Sequence, residues 1–229
     1  MDLLQAIEER HSIRSYTDKN IEGEILKKLQ TELQRLNDES GLNMQLVINE
    51  PKAFGGRMAH YGKFSGVKNY VAVVGKKTAD FQEKCGYYGE KFVLYAQTLG
   101  LNTCWVALTY SKTTGAFEVK RGEKLLLVIA VGYGAAGGRT QKSKTVEQVT
   151  DGDLKNAPEW FFNGVKAALK APTAINQQKF VFSYNDGKVK ARAKSAFYAK
   201  TDLGIAICHF EIGSGVKIFD KSGVKVFYK

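Results

Sequence analysis

The sequence predicts an α+β fold, and three observations carry that prediction. Apolar residues recur at helical spacing in separate stretches, first at Ile25, Leu29, Leu33 and Leu36 and again at Tyr88, Phe92, Tyr95 and Leu99. Between them lie strand-sized runs of β-branched and aliphatic residues, at 70–74 and 125–131. The same succession of helix, polar connection and strand then returns, shortened, after residue 150. A chain of 229 residues can bury one substantial core, as one large domain or two small ones.

Taken in order, an acidic amphipathic start runs into a basic stretch at 10–16, Arg-His-Ser-Ile-Arg-Ser-Tyr. Thr17 or Asp18 is available to begin the next helix, and Gly41 ends it. Residues 44–48 make a short strand. A long connection then interleaves Gly55, Gly56, Gly62 and Gly66 with aromatics, which suits a binding loop, or alternatively a surface omega loop. After the strand at 70–74, the stripe ending at Leu99 is core-facing and Gly100 caps it. The strand at 125–131 leads into Gly132-Tyr133-Gly134. Residues 150–158 are polar and turn-rich, and they divide the chain into halves at 1–150 and 151–229. The second half reads as a helix at 160–169, a strand at 180–184, a helix at 202–212 on Asp202, Leu203, Ile207 and Phe210, then Gly213-Ser214-Gly215 and a strand at 216–219. This layout suggests a degenerate internal duplication.

Composition narrows the function. Hydrophobic residues at 44% and charged residues at 25% exclude a disordered chain. The longest apolar run is strand-sized, far short of the roughly 20 residues that span a bilayer, and the N-terminus lacks the basic start of a signal peptide. A cytoplasmic protein with no membrane partner is expected. Cys85, Cys104 and Cys208 have no metal-ligand spacing and are odd in number, so reduced, buried thiols are expected. His11, His60 and His209 are scattered, and no metal site is anticipated. The net charge of +11 admits nucleic acid, an anionic surface or a phosphorylated ligand. With no zinc finger, RNP-like strand or comparable module, no nucleic-acid partner is expected. The basic run at 188–194 reads as a solvated face.

Two segments carry candidate chemistry. Arg10 and Arg14 each offer a planar fork of donors to a dianion, and Ser12 adds a hydroxyl, so this stretch reads as a phosphate cradle. The alternative is a solvated helix end whose cations complement the helix dipole. Far downstream, residues 171–178, Ala-Pro-Thr-Ala-Ile-Asn-Gln-Gln, supply a hydroxyl, an amide and a proline-fixed turn. Together they resemble the flavin-binding signatures of the nitroreductase family.

The resemblance covers nearly the whole chain. The family's R-[RH]-S-[IV]-R-x-[FY] pattern is matched by Arg10, His11, Ser12, Ile13, Arg14 and Tyr16, and its L-G-L-x-[TA]-x-W by Leu99, Gly100, Leu101, Thr103 and Trp105. Backbone after that tryptophan, here Val106, Ala107 and Leu108, is implied to approach the flavin ring. Gly132, Tyr133 and Gly134 match the G-Y-[PG] strand end, and the basic residues behind them, Arg139, Lys142 and Lys144, are implied to finish the phosphate site. Ala171, Pro172, Thr173, Asn176 and Gln178 match the A-P-[ST]-x-x-N-x-Q segment, within which Ala174 is also implied to contact the cofactor, and the segment departs from the family by continuing with Lys179 and Phe180 instead of Pro and Trp. In ordinary family members this segment lies early and serves a partner subunit's flavin. Its late position here resembles a single-chain branch of two fused half-units.

The resemblance thus implies a nitroreductase-like fold, a central, mostly antiparallel sheet flanked by helices, built as a pseudo-dimer in which residues 151–229 complete the flavin site. It implies FMN as cofactor, NAD(P)H as a transient reductant and a small-molecule electron acceptor such as a nitroaromatic or quinone, in ping-pong alternation. No side chain is expected to act as acid, base or nucleophile, because the flavin carries the chemistry. Lys68 or a nearby donor is a candidate partner for the reduced ring, a plain surface lysine being the alternative. A monomer becomes possible. The rival readings are a flavin-storage module without turnover and, on charge alone, a basic nucleic-acid-binding protein.

Overall fold

A computed structural model describes residues 1–135, 137, 138 and 142–219. The chain forms two compact units, one comprising Glu9–Thr78 and Phe92–Thr140, the other Met1–Glu8, Ala79–Lys91 and Gln141–Lys229. The fold is mixed helix and sheet.

The first of these units is built on a four-stranded sheet of order β1-β2-β4-β3, antiparallel throughout, from β1 (Gln45–Val47), β2 (Tyr70–Lys76), β3 (Asn102–Val106) and β4 (Glu123–Gly132). Its central strands are apolar on both faces, and six of the seven β2 residues are buried, the pattern of a strand covered on both sides. Tyr70, Ala72, Val74, Val128 and Ala130 point to one core with Ile13, Phe54, Phe64 and Val106. The helix α2 (Gly23–Ser40) buries Leu29, Leu33 and Leu36 and stops where Gly41 takes φ 69 and donates its N–H to the Asn37 carbonyl. Asn37 also holds the next strand's approach, its side chain donating to and accepting from the Met44 backbone.

That helix begins at Gly23, not at Thr17 or Asp18. Thr17 is engaged elsewhere, its N–H donating to the Tyr133 carbonyl, and Asp18 pairs with Lys68 at 3.1 Å. The glycine-rich connection is more ordered than a loop, holding a 3-10 turn at Lys52–Phe54 and a short helix α3 (Arg57–Tyr61). At its end Gly66, with φ 69, lies so close to the Tyr16 carbonyl that a Cβ would fall 2.2 Å from that oxygen.

The other unit contains a three-stranded sheet of order β5-β6-β7, from β5 (Thr150–Gly152), β6 (Phe180–Asn185) and β7 (Lys188–Ala193). β5 pairs parallel and β7 antiparallel to β6. The turn-rich stretch expected at 150–158 therefore opens with a strand. β7 alternates exposed Lys188, Lys190 and Arg192 with buried Val189 and Ala191, a period of two that places the cations on one face.

Helices α5 (Glu159–Ala168) and α6 (Ala199–Ser214) pack through glycines: a Cβ on Gly164 would meet the Phe210 ring at 2.7 Å, and one on Gly213 the Ala167 Cβ at 2.4 Å. Phe210 stacks on Phe182 at 4.6 Å. α6 is buried on every side from Ala199 to Glu211, except Lys200. Against it lies the first part of α4 (Phe81–Thr98), which begins in this unit. Within the strand expected at 216–219, the described residues show a single bridge, at Phe219. The Glu211 carboxylate accepts the Ile218 and Phe219 N–H groups at 2.7 Å each.

Candidate functional site

The basic stretch that follows α1 (Leu3–Glu9) is extended, not helical. Ser12 pairs with Thr103 as an isolated parallel bridge, Ile13 donates its N–H to the Thr103 carbonyl, and Tyr16 donates to Ser65. Ile13 and Tyr16 are buried in the core while Ser12 and Arg14 are exposed. The bridge to β3 sets Arg10, Ser12 and Arg14 around Cys104. Burial, the largest influence, holds the Cys104 thiol above its ordinary value against the charges of Arg14 and Arg10. The Arg14 guanidinium also lies 5.6 Å from the Phe64 ring centre. His11 shares a hydrogen bond between Nδ1 and the Glu9 carbonyl at 2.9 Å, and its Cβ lies where a Cβ on Gly138 would fall.

On β3, Trp105 is half-buried and Val106 buried. Ala107 is half-buried, and Leu108 is 61% exposed. Gly62, at the end of α3, is pressed against Thr109, a Cβ there falling 2.6 Å from the threonine Cβ. This stretch after β3 is therefore braced by α3. Lys68 pairs with Asp18.

In the other unit, residues 171–178 follow α5. Pro172, Thr173, Ala174 and Asn176 are half-buried, and Gln178 is 2% exposed. Thr173 Oγ1 accepts the Gln178 N–H at 3.1 Å. Asn176 Nδ2 donates to the Lys142 carbonyl at 2.7 Å. The Gln178 side chain is committed within the protein, its Nε2 donating to Leu169 O and Ser143 Oγ and its Oε1 accepting the Lys144 N–H. Lys144 donates from Nζ to the carbonyls of Gln177 and Gln178 at 2.8 and 2.7 Å, and burial lowers its ammonium below the ordinary value. Of the anticipated basic trio, Lys142 and Lys144 thus adjoin this segment. Arg139 lies outside the described residues.

The family model described as "Putative TM nitroreductase" matches residues 2–214. The chain belongs to this nitroreductase family. Among solved structures, a "putative nitroreductase" from Thermotoga maritima is 21% identical over 93% of this chain and 83% of its own, with a TM-score of 0.65. A nitroreductase family protein from Streptococcus pneumoniae is 13% identical over 66% of this chain and 99% of its own, with a TM-score of 0.51. At such identities the likeness establishes a nitroreductase-like fold. No curated protein matches. Among the described residues, no helix is long and apolar enough to cross a membrane.

Two residues near the nitroreductase motifs escaped the sequence reading. Cys104 occupies the second x of L-G-L-x-T-x-W, one place before the tryptophan, and only the bridge from Ser12 to Thr103 reveals that the basic stretch runs beside it. Asp202 shows in sequence only as one member of a helical stripe. In the structure it is 3% exposed and binds residues 174 and 177.

Proposed function

We propose that this member of the nitroreductase family is an FMN-dependent oxidoreductase that draws hydride from NAD(P)H and delivers it to a nitroaromatic, quinone or related acceptor. The observation that carries the reading is the donor set beside β3: two guanidinium groups and a hydroxyl on a single extended stretch bridged to Thr103, with Ser12 and Arg14 exposed. Such a set fits a phosphate dianion, because each charge-assisted hydrogen bond to it contributes about 1.5 to 3 kcal/mol.

Arg10, Ser12 and Arg14 would bind the phosphate, with Lys142 and Arg139 as further cations and His11 beside them. Trp105, Val106, Ala107 and Leu108 would present backbone and apolar surface to the ring, braced by α3. Pro172, Thr173, Ala174 and Asn176 would supply the second flavin-contacting segment, with Lys144 and Gln178 holding its shape. FMN bound there would supply the hydride chemistry, and the chain's residues would orient it, shield it and leave one face open to reductant and acceptor in turn. That sharing of one face predicts ping-pong kinetics.

The test is optical. Purified protein, or protein incubated with FMN and desalted, is expected to show oxidised flavin bands that bleach anaerobically with NADH or NADPH and return on adding a nitroaromatic or quinone. Protein that retains no flavin sinks the reading, and flavin that neither nucleotide bleaches reduces it to a binding role.

A further inference from the structure

Residues 173–178 are held in a backbone shape that their own composition opposes. Ile175 sits at φ 46 and ψ 27, Asn176 at φ 55 and Gln178 at φ 45. The left-handed region disfavours L residues, β-branched ones most of all. Ile175 is 96% exposed, so burial of its side chain does not offset the strain. The restraint comes from outside the segment. Lys144 grips its end through the Gln177 and Gln178 carbonyls. Asp202, in the first turn of α6, grips its middle: Oδ1 accepts the Ala174 N–H at 3.0 Å and Oδ2 accepts Gln177 Nε2–H at 2.7 Å. The same Gln177 amide donates to the Phe197 carbonyl at 2.7 Å, tying the stretch before α6 into the arrangement.

We propose that Asp202 is a positioning residue, whose carboxylate locks residues 174–177 into the conformation that meets the cofactor and thereby sets cofactor affinity without touching the cofactor. The cofactor half of this statement rests on the flavin reading above. The locking half rests on the contacts alone. Both carboxylate oxygens are aimed at one segment, one at its main chain and one at its side chain, so their loss frees Ala174 and Gln177, the two positions that bracket Ile175 and Asn176. Burial, opposed by the donors from Gln177 and Ala174, pushes the Asp202 carboxyl up to about 6. Its charged form at neutral pH therefore opposes folding relative to a neutral residue of the same shape. A side chain that lowers stability where it is charged, while fixing a strained segment, fits the trade of stability for a preorganised site.

The test compares the intact chain with Asp202→Asn, Gln177→Ala and the double variant, by amide hydrogen exchange, thermal unfolding and FMN titration at pH 8. Asn keeps the shape and one acceptor but turns an N–H group toward the Gln177 amide. Expected are exchange of the 174–177 amides faster by about tenfold or more, an unchanged or raised unfolding midpoint, and an FMN dissociation constant raised on the order of tenfold. The double variant should bind FMN no worse than Asp202→Asn, because the two act through one contact. Unchanged exchange at 174–177, or accelerated exchange accompanied by a fall in the midpoint and unaltered FMN affinity, overturns the proposal. If the unaltered chain binds no FMN at all, the flavin reading fails separately, and the exchange and midpoint data still decide whether Asp202 locks the segment.

Discussion

At the scale of single residues, the arginines of the extended stretch offer the most direct test of phosphate binding. Arg10→Ala and Arg14→Ala should each weaken FMN by about 1.5 to 3 kcal/mol, the worth of a charge-assisted bond, while riboflavin, which lacks the phosphate, hardly senses either change. Equal losses for both ligands in parallel titrations would make the arginines structural, a live outcome for Arg14 given its contact with Phe64. Asp202 makes a prediction of the opposite kind, about pH. Its carboxyl is raised from 3.8 to about 6 by burial. A raised carboxyl contributes stability that is fully present below its unfolded value and is lost as pH rises through its folded value. Asp202→Asn removes that dependence. Urea unfolding at about pH 3 and pH 8 should show the variant gaining about 3 kcal/mol on the parent between the two conditions. A constant difference across that range would mean the carboxylate is not buried as described.

Among elements, the approach of α4 and α6 is the tightest constraint. A Cβ on Gly204 would fall 2.1 Å from the Glu83 carbonyl oxygen, and one on Gly86 2.1 Å from that of Thr201. Main-chain atoms cannot rotate away, so Gly204→Ala should destabilise by about 3 kcal/mol through forced separation of the helices, read as a lowered denaturation midpoint. The elements also show what the sequence discloses and why it stops. The helix closed by Gly41 was legible because it has one period and one terminator, and the strand read at 70–74 because it is an unbroken run rich in β-branched residues. β7 was not, since its alternation of lysine and arginine with valine and alanine looks like a charge run until a partner strand sets one face against the core. The helix inside the glycine-rich connection is five residues long, too short for a periodic signal. The segment at 171–178 was legible as a motif, but its inward-facing half was not: Gln178 belongs to the protein's own hydrogen bonding, and the restraints on its backbone come from residues 144 and 202, beyond the reach of local pattern. Buried polar pairs are similarly silent in sequence. His209 and Glu90, both fully buried and 2.8 Å apart, are separated by more than a hundred residues, and only the fold shows that His209 Nδ1 faces the Ala167 carbonyl and so must carry a proton there.

For the whole molecule, the decisive question is how many chains make one functional flavin protein. The arginine stretch occurs once, at 10–16, and the A-P-T-x-x-N segment once, at 171–176. Counted by motif, each chain therefore carries one complete set, whereas a protein with the second segment placed early and serving its neighbour would need two chains for any site. One FMN per chain is the expected stoichiometry, measured as flavin released on denaturation against protein. Two equivalents would mean that each half holds its own flavin and that the roles assigned to the two segments are wrong. A single set per chain further predicts that specific activity and bound flavin stay constant as protein is diluted over several orders of magnitude, whatever the mass found by sedimentation. Loss of activity and flavin in step with dissociation of an oligomer would show instead that the segment at 171–178 serves a neighbouring chain, and that the late position of this motif does not free the protein from its partner.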